Sequence, residues 1–259
     1  MFEIPEYPGY GPRFLSIQGG ATVSLIDDDV ICKQGSRVTR SEKMAMRLVK
    51  KHIPDFPTPE LQLSSYSTTR VFGQLCMDVV PGSTLKLSWD GLDNVTKERL
   101  CHETWALIAQ LRQIPKPSEL NHLFQCSADG SPTNDVLIKD LEDPPRPLLD
   151  DHAVRTRICE RYHHFYGRRF TKELPDMLPR SSVSVFTHGD ICPQNIMIDG
   201  SNHITGIIDW ETAGWYPDYW EYGNIMKPRT EIDWAALMDQ TAPQRWDLSG
   251  IKAARRVLF

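Results

Sequence analysis

The stretch FTHGDICPQN (Phe186–Asn195), followed by IIDWE (Ile207–Glu211), is the part of the sequence that decides the fold. The residues before it, SVSVFT, and the two runs after it, IMID and HITGIID, are rich in β-branched and apolar residues, which favours strands. Asp199-Gly200 lies between the last two runs and indicates a β-hairpin. We therefore expect the polar residues of the first stretch on a loop between strands, and Asp209 at the end of the second hairpin strand.

Asp190, Asn195 and Asp209 are suited to a metal-dependent phosphate site. Hard cations such as Mg²⁺ bind oxygen ligands, usually one or two carboxylates or an amide oxygen together with water and phosphates. In kinase-type phosphoryl transfer one loop supplies an aspartate and then an asparagine, and a later aspartate binds Mg²⁺. We therefore expect Asp190 to be the base or to orient the nucleophile, and Asn195 and Asp209 to hold the metal.

The first part of the chain predicts strands and one helix. Two short β-favouring runs around an acidic turn predict a hairpin over Ala21–Gln34, with Lys33 at the end of its second strand. A helix is predicted over roughly residues 40–52, because apolar residues recur there at helical intervals. Thr39 and Glu42 have the spacing of a capping box at its start.

The turn signal Pro81-Gly82 predicts a boundary between two lobes, residues 1–80 and 81–259. Before it, Arg70–Val80 reads as a strand. After it, apolar residues at helical spacing between Leu100 and Leu111 predict a mainly helical unit. The sequence thus favours a small β-rich lobe followed by a larger helical one.

The motifs together resemble the aminoglycoside phosphotransferase family, in the branch abundant in fungi and within the wider protein-kinase-like fold. The resemblance rests on HGD followed by Asn195, on IIDWE, and on AGWYPDYWEY (residues 213–222). Lys33 in VICKQG, Glu42 in SEKMAMRLVKKH, and MDVVPG (Met77–Gly82) occur in the family order. The similarity covers about residues 20–228, which is most of the chain.

This resemblance implies a two-lobed α+β fold and an ATP- and Mg²⁺-dependent transfer of a phosphoryl group to a hydroxyl of a small molecule. By position, Lys33 would contact the nucleotide phosphates, Glu42 would pair with that lysine, and Asp190 would be the catalytic base. Asn195 and Asp209 would be the metal ligands. The hinge that holds adenine would consist of Met77, Asp78, Val79 and Val80.

Several of these residues also have a purely structural interpretation. Lys33 could be a solvated lysine at a strand end, Glu42 could cap its helix with Thr39, and Asp209 could be an ordinary turn acid. His188 is expected to orient the loop, Glu221 to anchor it, and Cys192 is not expected to be a nucleophile. Gly19-Gly20 could begin a turn that covers phosphates, although no GxGxxG pattern is present. The aromatic residues expected to pack in the core are Trp210, Trp215, Tyr216, Tyr219 and Trp220.

Three other functions compete with a small-molecule kinase. A protein kinase is disfavoured, because the chain has HGD instead of HRD, IDW instead of DFG, and no APE-like element. A non-catalytic scaffold with this fold would commonly have lost the lysine, the base or a metal ligand, and all are present here. The same fold could also serve another reaction in secondary metabolism, since a fold does not determine a function.

The composition is that of an ordinary globular protein. The 259 residues are 40% hydrophobic and 24% charged, with a formal net charge of −5, which gives no basis for binding nucleic acid or an anionic membrane. The six cysteines include no CxxC pair, and we expect buried thiols and not disulfides. Because the N-terminus lacks a signal-peptide pattern and no apolar run approaches about 18 residues, we predict a cytoplasmic protein.

An acidic segment between the predicted helices bears on the acceptor. Residues 127–151 contain seven acidic and two basic residues and are expected to form a long irregular connection. If this segment forms a wall of the acceptor pocket, as the family resemblance implies, it would steer an amine-bearing acceptor. The alternative is a solvated acidic surface loop. Oligomeric state and the preference for ATP or GTP have no signal in the sequence.

Overall fold

The computed structural model describes residues 13–67, 69, 71–228 and 232–258. They form a small, mainly β lobe and a larger lobe of helices and short sheets, which is the predicted two-lobed α+β architecture. Within these residues, no helix is both long and apolar enough to span a lipid bilayer.

The described elements of the small lobe are, in chain order, β1 (Arg13–Gln18), β2 (Ala21–Leu25), β3 (Val30–Gly35), α1 (Arg40–His52), β4 (Leu61–Tyr66) and β5 (Gly73–Asp78). The strands form an antiparallel sheet in the order β1-β2-β3-β5-β4. The predicted hairpin is confirmed as β2 and β3, and the predicted helix as α1. The strand predicted to end at Val80 is shorter and ends at Asp78.

Helix α1 is amphipathic and packs towards the large lobe. Its buried apolar side chains include Ala45, Met46 and Val49, whereas the last turn carries the basic residues Lys50 and Lys51. The helix contacts β4 and the short 3₁₀ helix Trp210–Thr212. This contact places the start of α1 beside the segment that carries Asp209.

The described elements of the large lobe are β6 (Ser83–Thr84), α2 (Leu85–Ser88), α3 (Asn94–Leu111), β7 (Cys126–Ser127), α4 (Asp151–His164), α5 (Leu174–Met177), β8 (Ser184–Thr187), β9 (Ile196–Ile198), β10 (Ile204–Ile207), β11 (Gly214–Pro217), α6 (Trp220–Ile225), α7 (Ile232–Thr241) and α8 (Ser249–Leu258). Two small sheets have the orders β10-β9-β6 and β7-β11-β8. The predicted second hairpin is confirmed as β9 and β10. Because β8 ends at Thr187 and β10 ends at Ile207, the two polar motifs follow strand ends, as expected.

Cys32 and Cys76 form a disulfide, which corrects the expectation that the cysteines are thiols. The two residues are directly opposite each other on the antiparallel strands β3 and β5, with their Cα atoms 4.2 Å apart. Their pairing depends on strand register, and a spacing of 44 residues along the chain conceals it. Among the described residues, Cys101, Cys126, Cys159 and Cys192 lie outside this disulfide.

The acidic segment forms the predicted irregular connection between β7 and α4, but most of its carboxylates have structural roles. Asp129 accepts hydrogen bonds from Ser131 N and Oγ, and Asp150 caps α4 by accepting one from Ala153 N. Asp135 accepts hydrogen bonds from the backbone N–H of Leu137 and from the indole of Trp220. The segment is therefore not simply a solvated acidic surface.

Asp140 is the centre of a buried ion-pair network in this segment. Its side chain is 1% exposed, and its carboxylate lies 2.8 Å from both Arg146 and Arg157. Burial alone would raise the pKa of Asp140, but hydrogen bonds from the Arg146 side chain and backbone, together with the charge of Arg157, hold that pKa well below its usual range. Arg146 and Arg157 also contact Glu160 on α4, so the network joins the segment to that helix.

We expect Asp140→Asn to lower the free energy of unfolding at pH 7 by about 3 kcal/mol, because the buried charge of Arg157 then loses its nearest counter-charge and keeps Glu160, at 3.6 Å. The lowered pKa of Asp140 in the folded state means that this stabilisation is complete above the ordinary carboxyl pKa, begins to be lost as the pH falls below about 4, and is lost fully only as the pH falls through the lowered pKa. Urea unfolding at pH 7 and at pH 3.5 measures both effects. Glu142→Gln, at an exposed position, is the matched control. An equal loss in the two variants would contradict the structural role of Asp140.

Candidate active site

The loop His188–Asn195 follows β8 and is oriented by the imidazole of His188. This side chain is fully buried, and its Nδ1 accepts a hydrogen bond of 3.2 Å from the backbone N–H of Asp190. With Nδ1 as acceptor, Nε2 carries the proton and donates to the carbonyl of Ile208 at 3.1 Å. The ring therefore joins the Asp190 loop to the segment leading to Asp209, which is the orienting role predicted for it.

Glu221 on α6 anchors the same loop through hydrogen bonds to the loop backbone. Its carboxylate, in a residue only 2% exposed, accepts hydrogen bonds from the backbone N–H groups of His188 at 2.8 Å and Gly189 at 3.1 Å. Asn224 donates to the carbonyl of Gly189 at 2.8 Å. Gly189 has a φ of +85°, and a Cβ there would lie 2.9 Å from the carbonyl oxygen of Thr212, so the tight turn favours glycine. The geometry fits the predicted anchoring role of Glu221.

Asn195 contacts Asp190 through its side-chain amide nitrogen, and its amide oxygen takes no part in this contact. Its Nδ2 donates to the backbone carbonyl of Asp190 at 2.9 Å and to the carboxylate Oδ2 at 3.0 Å. The backbone carbonyl of Asn195 accepts a hydrogen bond of 2.9 Å from Ile208 N–H. Asp190, Asn195 and the residue before Asp209 are thus connected by direct hydrogen bonds.

Asp209 has a left-handed backbone conformation, with φ 65° and ψ 69°. Aspartate and asparagine tolerate this conformation better than most residues because their short polar side chains can form local hydrogen bonds. The side chain is 31% exposed, and Oδ1 lies 2.8 Å from the ammonium of Lys33. Asp209 is therefore a partner of the small-lobe lysine and not an ordinary turn acid.

Lys33 on β3 is surrounded by carboxylates from both lobes. Its Nζ lies 2.8 Å from Glu42 on α1, 2.8 Å from Asp209 and 3.3 Å from Glu211. Burial lowers the pKa of Lys33, but the attraction of Glu42 and Asp209 outweighs burial and raises that pKa above its ordinary value. With a residue exposure of 7%, Lys33 is not a solvated strand-end lysine.

Glu42 pairs with Lys33 and does not take part in a capping box. The side chain of Thr39 makes no capping hydrogen bond at the start of α1, although Glu42 lies in the first turn. Burial raises the pKa of Glu42, and the Lys33 ammonium opposes this rise. Its second oxygen, Oε2, is buried without a hydrogen-bond partner in the described part of the chain. The alternatives left open by the sequence are thus decided in favour of the lysine pair.

The predicted hinge, Met77–Val80, spans the end of β5 and the residues that follow it. Asp78 N–H donates to the carbonyl of Glu60 at 3.0 Å, and Val79 N–H donates to the carbonyl of Asp29 at 2.8 Å. The side chain of Val80 packs against Gly206 of β10, where a Cβ would lie 2.4 Å from Val80 Cγ1. The segment therefore contacts the strand that leads to Asp209.

Two site residues, Glu211 and Arg37, had no predicted role. The carboxylate of Glu211 contacts Lys33 and also accepts a hydrogen bond from the guanidinium of Arg37. Glu211 lies two residues beyond Asp209 in IIDWE, so its position in the motif was a usable signal. Arg37 lies in an ordinary polar turn after β3, and nothing in the sequence around it indicated a role in the site.

The aromatic residues around the loop form part of the core, as expected. Each is 1–2% exposed, and this group consists of Trp210, Trp215, Tyr216, Tyr219 and Trp220. Cys192 is also fully buried, in agreement with its exclusion as a nucleophile. These buried side chains support the loop, and the groups that could take part in a reaction are its polar side chains.

The donor set fits a nucleotide with a divalent cation. Four carboxylates, Glu42, Asp190, Asp209 and Glu211, are combined in this cluster with two cations, Lys33 and Arg37. No group of three or more His, Cys, Asp or Glu side chains is placed to hold a metal ion among the described residues. The carboxylate of Asp209 and the amide of Asn195 are the kind of oxygen ligands that Mg²⁺ binds, one or two at a time, together with waters and phosphates.

A known protein family matches most of the chain. Residues 23–252 match the phosphotransferase enzyme family, designated APH. The chain belongs to this family. No curated protein sequence gave a match. Because the family consists of phosphotransferases, the chain is a phosphotransferase enzyme.

Solved structures show the same fold at low sequence identity. A thermostable mutant of aminoglycoside phosphotransferase APH(4)-Ia has a TM-score of 0.62 and 15% identity, covering 96% of this chain and 84% of that chain. ADP-bound APH(2'')-Ib has a TM-score of 0.62 and 12% identity, over 96% and 81%. A ternary complex of APH(4)-Ia with AMP-PNP and hygromycin B has a TM-score of 0.58 and 17% identity, over 90% and 76%. The predicted family and kinase-like fold are thereby confirmed.

Proposed function

We propose that this phosphotransferase transfers the γ-phosphoryl group of ATP to a hydroxyl of a small molecule in a Mg²⁺-dependent reaction. The observation that carries the proposal is the ion pair of Lys33 with Asp209, made across the two lobes at 2.8 Å beside the bonded pair Asp190–Asn195. These contacts support the proposal, because the cation, the base and the two oxygen ligands that the reaction requires would then lie in one cluster.

Lys33 and Glu42 form the part of the site that binds phosphate. The Glu42 carboxylate holds the Lys33 ammonium in place, and the raised pKa of Lys33 keeps it charged. A charged, pre-positioned ammonium offsets negative charge on the nucleotide phosphates without reorganisation during the reaction. Met77–Val80 is the proposed adenine-binding segment, at the junction of the sheet and the large lobe.

Asn195 and Asp209 are the proposed metal ligands. The Asn195 amide nitrogen is bonded to Asp190, so the amide oxygen is the atom that can face a cation. Mg²⁺ bound there would neutralise charge on the phosphates, the contribution that metal ions make in phosphoryl transfer. Asp209 would exchange its contact with Lys33 for the cation, and the Lys33 ammonium, still paired with Glu42, would then face the phosphates.

Asp190 is the proposed base. Its carboxylate is fixed through the Asn195 amide, and its backbone through His188. In this position Asp190 accepts the proton of the acceptor hydroxyl or aligns that hydroxyl for attack on the γ-phosphorus. Orientation of the reacting groups and electrostatic stabilisation provide most of the acceleration in this class of reaction.

The nucleotide and the acceptor are inferred from several similar folds. Related structures include a streptomycin–ATP ternary complex of APH(2'')-IIa and a GDP–kanamycin complex of APH(2'')-IIIa, each 14% identical to this chain. They support a nucleotide and a small-molecule acceptor as ligands of such a fold. The acceptor is proposed to carry an amine. Among the acids of residues 140–143, Glu142 and Asp143 are exposed and are proposed to steer this acceptor, whereas Asp140 is structural.

The lobe boundary after residue 80 and the cytoplasmic location remain predictions. Gly82 has a φ of +101°, and a Cβ there would lie 2.0 Å from the carbonyl oxygen of Ile198 in the large lobe. The next residue, Ser83, is the partner of Ile198 in the antiparallel pair of strands β6 and β9. These contacts begin directly beyond the proposed boundary and support the division into residues 1–80 and 81–259.

A thermal-shift measurement with nucleotides tests the proposal. At 100 times its dissociation constant, a ligand stabilises the folded state by about 2.7 kcal/mol, so saturating Mg-ATP should raise Tm by several degrees. EDTA should remove most of this rise, and Mg-GTP reports the base preference. Unchanged melting with both nucleotides would overturn the kinase proposal and favour a non-catalytic scaffold. Nucleotide binding without phosphorylation of any hydroxyl compound would favour a different reaction on the same fold.

A further inference from the structure

The turn between β1 and β2, Gly19-Gly20, is packed against the connection between β3 and α1. The carbonyl of Gly20 accepts a hydrogen bond of 3.0 Å from the backbone N–H of Arg37. Gly35, with a φ of +145°, passes so close that a Cβ would lie 2.2 Å from the same carbonyl oxygen. The glycine turn and the Arg37 backbone therefore form one closely packed unit in the small lobe.

The side chain of Arg37 joins this unit to the large lobe. Its Nη1 lies 3.5 Å from the carbonyl oxygen of Gly19, and its Nη2 is hydrogen-bonded to Oε1 of Glu211. Glu211 also lies 3.3 Å from Lys33 through its other oxygen, and it is two residues beyond Asp209. One guanidinium thus connects the glycine turn with the segment that carries the proposed metal ligand.

The Arg37 contact involves two parts of the molecule that are expected to lie near the nucleotide phosphates, the glycine turn and Lys33. In kinases, a glycine-rich turn between the first two strands covers the phosphates from above. Lys33, the proposed phosphate-binding residue, shares Glu211 with Arg37. A planar guanidinium can make two separate hydrogen bonds at fixed angles, which suits it to hold the backbone of the glycine turn and the carboxylate of Glu211 in a fixed relation.

We propose that Arg37 is a positioning residue for the nucleotide phosphates, which acts by fastening the glycine turn to Glu211. The proposal rests on the proposed function, since it requires nucleotide to bind at Lys33. Arg37 acts through the turn and not as a direct phosphate ligand, because its guanidinium is already engaged by Gly19 and Glu211. Loss of the Arg37 side chain weakens the binding of nucleotide, whereas the base Asp190 and the binding of the acceptor are unaffected.

The test is a double-mutant cycle on the Kd of Mg-ATP and on the steady-state constants, once a hydroxyl acceptor has been found. Arg37→Gln should raise the Kd and the KM for Mg-ATP by about 3- to 10-fold with kcat nearly unchanged, because the pair is partly exposed and such pairs contribute modestly. Glu211→Gln should have at least this effect, since Glu211 also contacts Lys33. Adding Arg37→Gln to Glu211→Gln should then cause no further loss.

Two variants control for loss of charge and for loss of structure. Arg40→Ala removes the same charge three residues later, where the guanidinium lies over the ring of Tyr66, and should leave Kd and KM unchanged. Arg37→Lys keeps the charge and should restore part of the affinity. Thermal melting of each variant without nucleotide measures folding separately, and Arg37→Gln should melt within about 2 °C of the unmodified protein because its side chain is 45% exposed.

The possible outcomes separate this proposal from the one on which it depends. If the unmodified protein does not bind Mg-ATP, the proposed function is overturned, and the role of Arg37 with it. If it binds Mg-ATP but Arg37→Gln has no effect, only the positioning role is overturned. A further loss of affinity when Arg37→Gln is added to Glu211→Gln would also reject that role and identify Arg37 as a direct phosphate ligand.

Discussion

Asp190→Asn should lower kcat by about 10²- to 10⁴-fold while the Kd for Mg-ATP stays within a few-fold of its original value. A positioned general base contributes about this factor, and asparagine cannot accept the proton of the acceptor hydroxyl. The amide oxygen of an asparagine can still accept the hydrogen bond that Asn195 donates to Asp190, so the loop should keep its shape. Turnover with a hydroxyl acceptor and calorimetric titration with Mg-ATP measure the two quantities.

Asp199→Asn is the matched control for this substitution. Asp199 lies in the turn between β9 and β10, where its carboxylate accepts hydrogen bonds from the backbone of Ser201 and His203. The chemical change is identical, it occurs in the same region, and asparagine suits such a turn. Turnover should therefore be retained. Full activity of Asp190→Asn would remove the proposed mechanism, and an equal loss in both variants would point to damage of the hairpin.

Local elements of this fold could be predicted from the sequence because their signals are short-range. The hairpin over Ala21–Gln34 and helix α1 are both encoded within about fifteen residues, by alternation, a turn and helical periodicity. The order of the motifs, through their resemblance to a family, then brought Lys33, Glu42 and Asp209 together. In the structure the Nζ of Lys33 lies 2.8 Å from a carboxylate oxygen of Glu42 and 2.8 Å from one of Asp209.

Contacts that depend on tertiary register could not be predicted in this way. Arg37 and Glu211 are 174 residues apart, and neither pattern nor spacing relates them. Cys32 and Cys76 face each other only because β3 and β5 are neighbours in the sheet. Thr39 and Glu42 show the converse: a valid local capping signal is overridden, because the buried Lys33 ammonium offers Glu42 a stronger partner.

The acidic segment shows why a count of charges does not predict their use. Residues 127–151 carry a large excess of acids, which favours electrostatic steering of a cation. The fold instead directs arginines from α4 and from the segment itself towards Asp140, and backbone N–H groups towards Asp129 and Asp150. Arg146 within the segment and Arg157 on α4 compensate the charge of Asp140 locally, so the number of acids overstates the field that this segment presents.

Asp209→Asn should lower the affinity for Mg-ATP by about 100-fold or more and abolish most turnover. Loss of even an indirect partner of a metal site costs about 10- to 100-fold in metal affinity, and a direct carboxylate ligand should cost at least as much. Asparagine is preferred to alanine here because Asp209 has a φ of 65°, a conformation that costs most residues about 1–2 kcal/mol. Titrations with Mg-ATP, and with ATP in EDTA, measure the loss that depends on the metal.

Folding should survive this substitution, which makes the binding result interpretable. Lys33 retains Glu42 at 2.8 Å and Glu211 at 3.3 Å, so its buried ammonium is not left without a counter-charge. The melting temperature without nucleotide should therefore stay close to that of the unmodified protein, whereas the rise caused by Mg-ATP should disappear. Asp190→Asn should show the opposite pattern, with the Mg-ATP rise preserved and turnover lost. If Asp209→Asn kept its affinity for Mg-ATP, Asp209 would be only a partner of Lys33, and the metal would have to be held by Asn195 and Asp190.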